Sequence, residues 1–151
     1  PGQSLSNPYT GILSIFSTRI LNGNTVYLFE DGKESRDFVY IDDVVDATMT
    51  LAKSGEPGTT WHLSTKESIK IKELVKKICE MCNVEFSNTV DISEERLGKD
   101  QNYLLDSKDI RDKHSWEDKI SLFSGIKETI KWVDDNLDLL CKLPWEYEHK
   151  V

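Results

Sequence analysis

Apolar residues recur every three or four positions in several segments of the chain, which is the pattern of amphipathic helices. This spacing predicts four long helices, over residues 8–22, 43–53, 71–82 and 121–140. Pro8 suits the first turn of the first helix, and Gly23 follows its end. The acidic pair Asp42-Asp43 is expected to cap the second helix by accepting free backbone N–H groups. A shorter helix is predicted to open at Asp106-Ser107 and to run through Arg111.

β-branched and aromatic residues mark the segments expected to form strands. Residues 25–30 and 36–41 are two such segments, and Asp31-Gly32 between them is a strong turn signal. These two strands could therefore form a hairpin. Residues 59–64 predict a third short strand.

The remaining chain is less periodic. A short strand is possible near 86–90, and residues 103–105 could pair briefly. Strands that alternate with helices predict a mixed α/β fold. Since the chain shows no internal repeat and no low-complexity linker, residues 1–151 are interpreted as one domain.

Composition excludes several functional classes. Hydrophobic residues make up 38% of the 151 residues and charged residues 30%, as in globular proteins. No apolar run approaches the roughly 20 residues of a membrane span, and the first residues do not resemble a signal peptide. The formal net charge of −8 argues against nonspecific nucleic-acid binding. A cytoplasmic protein without membrane or nucleic-acid partners is expected.

The three cysteines do not form a disulfide framework. Cys79 and Cys82 make a C-x-x-C pair, but no second ligand pair lies at the spacing of a zinc site. Both cysteines fall in a predicted helix, where positions three apart share a face. Packing in the core is therefore preferred over a redox or metal role.

No catalytic motif is found in the sequence. Gly32-Lys33 lacks the spacing of a phosphate-binding P-loop, and no G-x-G-x-x-G or G-x-S-x-G occurs. The histidines His62, His114 and His149 lie at no metal-ligand spacing. Anion recognition must draw mainly on the four arginines, Arg19, Arg36, Arg96 and Arg111. From the residues alone, the chain is a globular α/β domain without an evident active site.

Three stretches resemble the extended short-chain dehydrogenase/reductase family of nucleotide-sugar epimerases and dehydratases. Residues 1–16 are similar to the segment after that family's Asn-Val-Tyr-Gly motif. Residues 31–47, with Asp31-Gly32 and Arg36-Asp37-Phe38-Val39, resemble its signature D-G-x-x-x-R-D-F-V-x-V-x-D-V-V-x-A. Later landmarks follow in order: Arg96-Leu97-Gly98, Tyr103, Asp106-Ser107-Lys108 and Trp116. Within the family, the sequence of these stretches is most similar to that of dTDP-rhamnose or UDP-hexose 4-epimerases.

The resemblance implies the carboxy-terminal, substrate-binding part of a Rossmann-type enzyme. In this family the Gly-rich NAD loop and the catalytic Tyr-x-x-x-Lys belong to the amino-terminal half, which is absent here. The implied activity is NAD-dependent nucleotide-sugar 4-epimerisation, with 4,6-dehydration or a noncatalytic sugar-nucleotide-binding module as alternatives. This fragment alone is expected to be inactive, to contain no catalytic or metal-binding residue, and not to bind NAD.

The expected partners are a nucleoside-diphosphate sugar and the amino-terminal Rossmann half of the same protein. A fragment that lacks this half is expected to expose apolar area at residues 36–41 and 59–64, which could support a homodimer.

The resemblance also suggests substrate-binding residues. Arg36 and Arg96 would contact the diphosphate or nearby ribose, Phe29 would lie against the base, and Lys99 would provide a further polar contact. For each residue a structural role remains open. Arg36 could pair with Glu34, Asp37 or Asp43; Arg96 could pair with Glu94 or Glu95; Phe29 could be buried in the core; and Lys99 could be solvated.

His62 is the remaining candidate. The family usually has Tyr-Asn-Ile-Gly where this chain has Trp61-His62-Leu63-Ser64, and the Asn commonly touches the nucleotide. A nucleotide contact by His62 is thus one interpretation, and a packed or surface histidine is the other. His114-Ser115-Trp116 likewise replaces the family's Leu-Gly-Trp.

Overall fold

A computed structural model of the chain describes residues 1–3, 11–93 and 100–143. The chain divides into two compact units. The first comprises Pro1–Gly32, Lys72–Leu97 and Ile126–Val151, and the second comprises Lys33–Ile71 and Gly98–Gly125. That the whole chain is one domain stays a prediction.

The first unit combines helices with a two-stranded sheet. Its elements in chain order are α1 (Ile12–Leu21), β1 (Val26–Phe29), α3 (Ile71–Met81, from Lys72 onward), α4 (Phe86–Thr89), β4 (Val90–Ser93), α6 (Leu122–Asp135, from Ile126 onward) and α7 (Leu137–Leu140). The predicted helix over 71–82 and the strand over 25–30 are confirmed, and the helix predicted over 8–22 is helical over Ile12–Leu21 within its described part.

The hairpin predicted from the Asp31-Gly32 turn is wrong. β1 pairs instead with β4, in parallel, with Val26 opposite Val90 and Phe29 opposite Ser93. The strand expected near 86–90 begins only at Val90, because residues 86–89 form a helical turn. Hairpin signals are local, whereas this pairing joins segments about sixty residues apart, so periodicity could not reveal it.

The core of the first unit lies against one face of β1. Val26 and Leu28 are buried, whereas Tyr27 and Phe29 are exposed. The other fully buried apolar side chains come mainly from α3 and α6: Leu74, Val75, Ile78, Cys79, Ile126 and Val133. The predicted core position of Cys79 is therefore confirmed, and Cys82 is half-buried.

The last predicted helix, over 121–140, is broken. α6 ends at Asp135, and α7 follows Asn136. The Asn136 side chain donates a hydrogen bond to the Trp132 carbonyl at 2.7 Å, which satisfies one of the carbonyls left free where α6 ends. Val133 and Leu140 are still buried in one cluster, so the apolar periodicity survives the break.

The second unit contains a small three-stranded sheet and two helices. Its elements are β2 (Ser35–Arg36), α2 (Ile41–Ser54), β3 (Ile69–Lys70), β5 (Asn102–Tyr103) and α5 (Lys108–His114). β2 is the central strand, antiparallel to β3 and parallel to β5. The brief pairing expected at 103–105 and the helix expected through Arg111 are both present, with shifted ends.

Two predicted strands in the second unit are shorter or absent. The strand predicted over 36–41 ends at Arg36, and helix α2 already begins at Ile41. Residues 59–64 form no strand. β-branched and aromatic residues favour a strand only where a neighbouring strand provides backbone hydrogen-bond partners. The described residues provide no such strand next to this segment.

Helix α2 is confirmed, but Asp43 does not cap it. The N-cap is Tyr40, and Asp43 lies in the first turn and is 3% exposed. Its two carboxylate oxygens accept hydrogen bonds from the backbone N–H groups of Lys119 and Ile120, at 3.1 and 3.0 Å. Its backbone carbonyl accepts a hydrogen bond from the indole N–H of Trp116 at 3.1 Å. One residue thus holds the whole segment 116–120.

The same segment completes the core of the second unit. Ala47 of α2, Ile110 of α5 and Trp116 form one buried cluster. Partly buried apolar residues pack around it: Val39, Leu51, Trp61 and Leu63. Nearby, a β-carbon at Gly125 would lie 3.1 Å from the ring of Tyr40, so a larger residue would crowd this ring. No helix in the described ranges has the length and apolar character needed to cross a membrane.

Asp43→Ala is expected to lower the free energy of unfolding by about 3 kcal/mol, because the backbone N–H groups of Lys119 and Ile120 lose a charged acceptor. Urea unfolding of both proteins measures the difference. The matched control is Asp46→Ala, which removes a neighbouring carboxylate whose ion pair with Lys119 is exposed; it should change the unfolding midpoint little. Equal midpoints for the two variants would show that Asp43 is dispensable.

Candidate functional site

Phe29 ends β1 on the exposed face of the strand. Its side chain is 37% exposed, so the alternative of burial in the core is wrong. The chain then turns through three residues with positive φ angles: Glu30 at 49°, Asp31 at 59° and Gly32 at 61°. Phe29 therefore lies at the start of a left-handed turn, where its ring is accessible. Its contact with a base stays a prediction.

Arg36 lies on the central strand of the second unit and is half-buried. Its guanidinium donates from Nη2 to the carbonyl of Asp100 at 2.8 Å. Nη1 donates to the carbonyls of Ser35 at 2.7 Å and Gln101 at 3.4 Å. Arg36 thus forms no ion pair within the described ranges, and the expected alternative pairing with Glu34, Asp37 or Asp43 is not seen. A carbonyl of its own strand and those of the two residues before β5 fix its orientation.

The donors of Arg36 are only partly used. A guanidinium carries five N–H groups, two on each Nη and one on Nε. The three hydrogen bonds use both groups on Nη1 and one on Nη2. The Nε–H and the second Nη2–H have no acceptor in the part of the chain that the structure describes. Two donors on one side of a positioned guanidinium can bind two oxygens of a phosphate.

Arg96 and Lys99 lie outside the described residues, in the segment 94–99, so their predicted contacts stay predictions. Asp100, whose carbonyl accepts from Arg36, is the next residue after this segment.

His62 is exposed in the irregular segment before Ser64. The imidazole that does make contacts in this unit belongs to His114. Its Nδ1 lies 3.1 Å from the Ser54 hydroxyl, and its ring meets Trp61 edge-to-face at 4.7 Å between centroids. Exposure is consistent with the interpretation of His62 as a surface histidine, and a nucleotide contact stays a prediction.

Arg111 is the centre of a polar network that sequence reasoning missed. Its Nε donates to the Ser107 hydroxyl at 2.9 Å, and its Nη2 donates to the Ser64 carbonyl at 2.8 Å and to Asp118 at 2.5 Å. Its guanidinium also lies 4.9 Å from the ring centroid of Trp116. The four-residue spacing of Ser107 and Arg111 on a predicted helix was the available signal. Arg111 is therefore structural.

Asp37 belongs to the same framework. Its carboxylate accepts a hydrogen bond from the Ser64 hydroxyl, and Ser64 is 3% exposed. The Ser107 hydroxyl donates to the Ser64 carbonyl at 3.0 Å. Ser64 is thus held from two sides, and the neighbours Arg36 and Asp37 make contacts of different kinds. Asp37 holds an internal loop in place, whereas two donors of Arg36 have no acceptor among the residues that the structure describes.

Cys79 and Cys82 are unsuited to thiolate chemistry at neutral pH. Desolvation by burial raises the pKa of the Cys79 thiol. Burial, followed by the neighbouring Cys79, raises the pKa of Cys82 to about 11. No group of three or more His, Cys, Asp or Glu side chains in the described ranges could hold a metal ion.

Comparison with known proteins identifies the family. Residues 1–64 match the model of the NAD dependent epimerase/dehydratase family. The dTDP-L-rhamnose 4-epimerase of Burkholderia thailandensis is 32% identical over 139 residues, which cover 91% of this chain and 38% of that protein. The chain belongs to the NAD-dependent epimerase/dehydratase family.

Solved structures agree with this family assignment. The UDP-glucose 4-epimerase of Thermotoga maritima, solved with UDP-glucose, is 30% identical with a TM-score of 0.79, over 87% of this chain and 42% of that one. The dTDP-glucose 4,6-dehydratase DesIV of Streptomyces venezuelae has a TM-score of 0.81 over 88% of this chain and 42% of that one. At 24% identity, DesIV shows the fold alone.

The chain spans 17% to 38% of the length of the first curated relatives that it matches. The mixed α/β fold of an extended short-chain dehydrogenase/reductase, predicted from the sequence, is confirmed for this portion.

Thiol labelling at pH 8 tests the environment of the cysteines. Exposed Cys141 is expected to react first with iodoacetamide, whereas Cys79 and Cys82 react slowly because little of either is thiolate. Since the pKa of Cys82 is about 11, its labelling rate should rise with pH up to that value. Cys141→Ser should remove the fast phase. Fast labelling of Cys82 at pH 8 would contradict the raised pKa.

Proposed function

We propose that this chain is the carboxy-terminal, substrate-binding part of an NAD-dependent nucleotide-sugar epimerase, and that it binds the nucleoside diphosphate. Family membership supports the class of reaction. The observation that carries the binding role is Arg36, whose guanidinium is oriented by three backbone carbonyls and whose Nε–H and second Nη2–H have no acceptor among the described residues.

The chemistry of a diphosphate fits this arrangement. Each phosphate presents several oxygens, and two of them can accept from one guanidinium. Because the carbonyls of Ser35, Asp100 and Gln101 already restrict the side chain, little conformational entropy is lost on binding. A lysine in this position could supply charge but not a planar pair of donors.

The rest of the proposed enzyme supplies the redox step. NAD bound to the amino-terminal part would accept hydride from the sugar and return it. The present part would hold the nucleotide, so that remote binding energy positions the sugar at the cofactor. A 4,6-dehydratase is the second candidate, because the dTDP-D-glucose 4,6-dehydratase of Bos taurus is 31% identical over 110 residues, which cover 70% of this chain.

Arg36→Ala is expected to weaken binding of dTDP or UDP to the chain by about ten- to a hundredfold, the loss of one charge-assisted contact. Arg36→Lys should weaken binding less, since it keeps the charge. Calorimetric titration measures the affinities. The charge-matched control is Lys53→Met on helix α2, which should leave the affinity unchanged.

Two further results distinguish the outcomes. NAD should give no measurable heat with the chain, because the proposal assigns the cofactor to the other part of the protein. If Arg36→Ala instead lowers the unfolding midpoint and leaves nucleotide affinity intact, Arg36 is a structural residue that joins β2 to residues 100–101, and the proposed contact is wrong.

A further inference from the structure

The turn after Phe29 has an unfavourable backbone. Glu30 and Asp31 have positive φ angles, which place the β-carbons of non-glycine residues close to the backbone. Two such residues in succession persist only where the surrounding structure holds them.

Lys72, in the first turn of α3, contacts the turn in two ways. Its Nζ lies 2.6 Å from Oδ1 of Asp31, in an ion pair whose side chains are about one-third exposed. Its backbone also approaches Gly32 closely. A β-carbon at Gly32 would lie 2.7 Å from the backbone nitrogen of Lys72. Only glycine permits this approach, so the backbone at the end of the turn, at Gly32, is in direct contact with the first turn of α3.

These contacts determine the direction in which the chain leaves Phe29. Glu30 follows Phe29 directly, and the next two residues are the ones that Lys72 holds. Phe29 is exposed at the last position of β1. A change in the turn would therefore alter the last residue of the strand before it altered the buried residues Val26 and Leu28.

We propose that Lys72 is a positioning residue for nucleotide binding, which holds the left-handed turn Glu30–Gly32 and thereby orients the ring of Phe29. The inference rests on the proposed function, that the chain binds a nucleotide, and on the separate prediction that Phe29 lies against the base. Lys72 itself need not touch the ligand. A partly exposed ion pair adds little to global stability, so its expected effect is local.

The test compares three variants of the 151-residue chain. Lys72→Met removes the ion pair, and Lys72→Arg keeps a cation that can reach Asp31. Lys76→Met is the matched control, because it removes an exposed ion pair with Glu73 from the same helix. Each variant is measured by calorimetric titration with dTDP, by thermal unfolding, and by the NMR shifts of the backbone amides of Phe29–Gly32 without nucleotide.

Lys72→Met is expected to weaken dTDP binding by about tenfold and to shift the four amides, with an unfolding midpoint close to that of Lys76→Met. Lys72→Arg should restore both readouts. If the amides of Lys72→Met match those of Lys76→Met, Lys72 does not hold the turn and the proposal is overturned. The same applies if the amides shift but the affinity does not change.

Failure of the proposed function gives a different pattern. Binding of dTDP would then be absent from the unsubstituted chain as well, whereas the amide shifts would still report whether Lys72 holds the turn. In that case the chain binds no nucleotide that Lys72 could position, and both the proposed function and the inference are wrong.

Discussion

The buried carboxylate of Asp43 is the interaction on which the second unit depends. This carboxylate replaces water as the acceptor for two backbone N–H groups. The backbone carbonyl of Asp43 accepts a further hydrogen bond from the indole N–H of Trp116. A carboxylate with 3% exposure is tolerated in a protein interior only when such donors surround it. Because Trp116 packs with Ala47 and Ile110, the polar contacts and the apolar core of this unit hold the same segment.

Residues 36–47 therefore combine different roles within one short run. Asp37 binds Ser64, Asp43 binds the segment 116–120, and Ala47 enters the core. Arg36 differs from them, because its partners within the described ranges are carbonyls, which orient it without neutralising its charge. This contrast is the physical basis for assigning ligand binding to Arg36 and scaffolding to its neighbours. A sequence signature can thus be specific for a family mainly because it specifies a framework.

Much of the helical structure was predictable, since apolar periodicity located α2 and α3 well and most of α6. Strand pairing was not, because the partner of β1 lies about sixty residues away and the Asp31-Gly32 signal favoured a hairpin. The site was predictable only in part. Resemblance suggested Arg36 and Phe29, whose contacts with a nucleotide stay predictions, but the carbonyls that orient Arg36 and the Lys72 contact depend on tertiary structure.

The most direct measurement of the central claim is an NMR titration of the chain with dTDP, in which backbone and arginine side-chain N–H signals are assigned. The expected result is a strong shift of the Nε–H of Arg36, together with shifts of the amides of Gln101 and its neighbours, while the side chain of Arg111 stays unchanged because its donors already serve Ser64, Ser107 and Asp118. A shift at Arg111 with none at Arg36, or saturating dTDP with no shift at either, would contradict it.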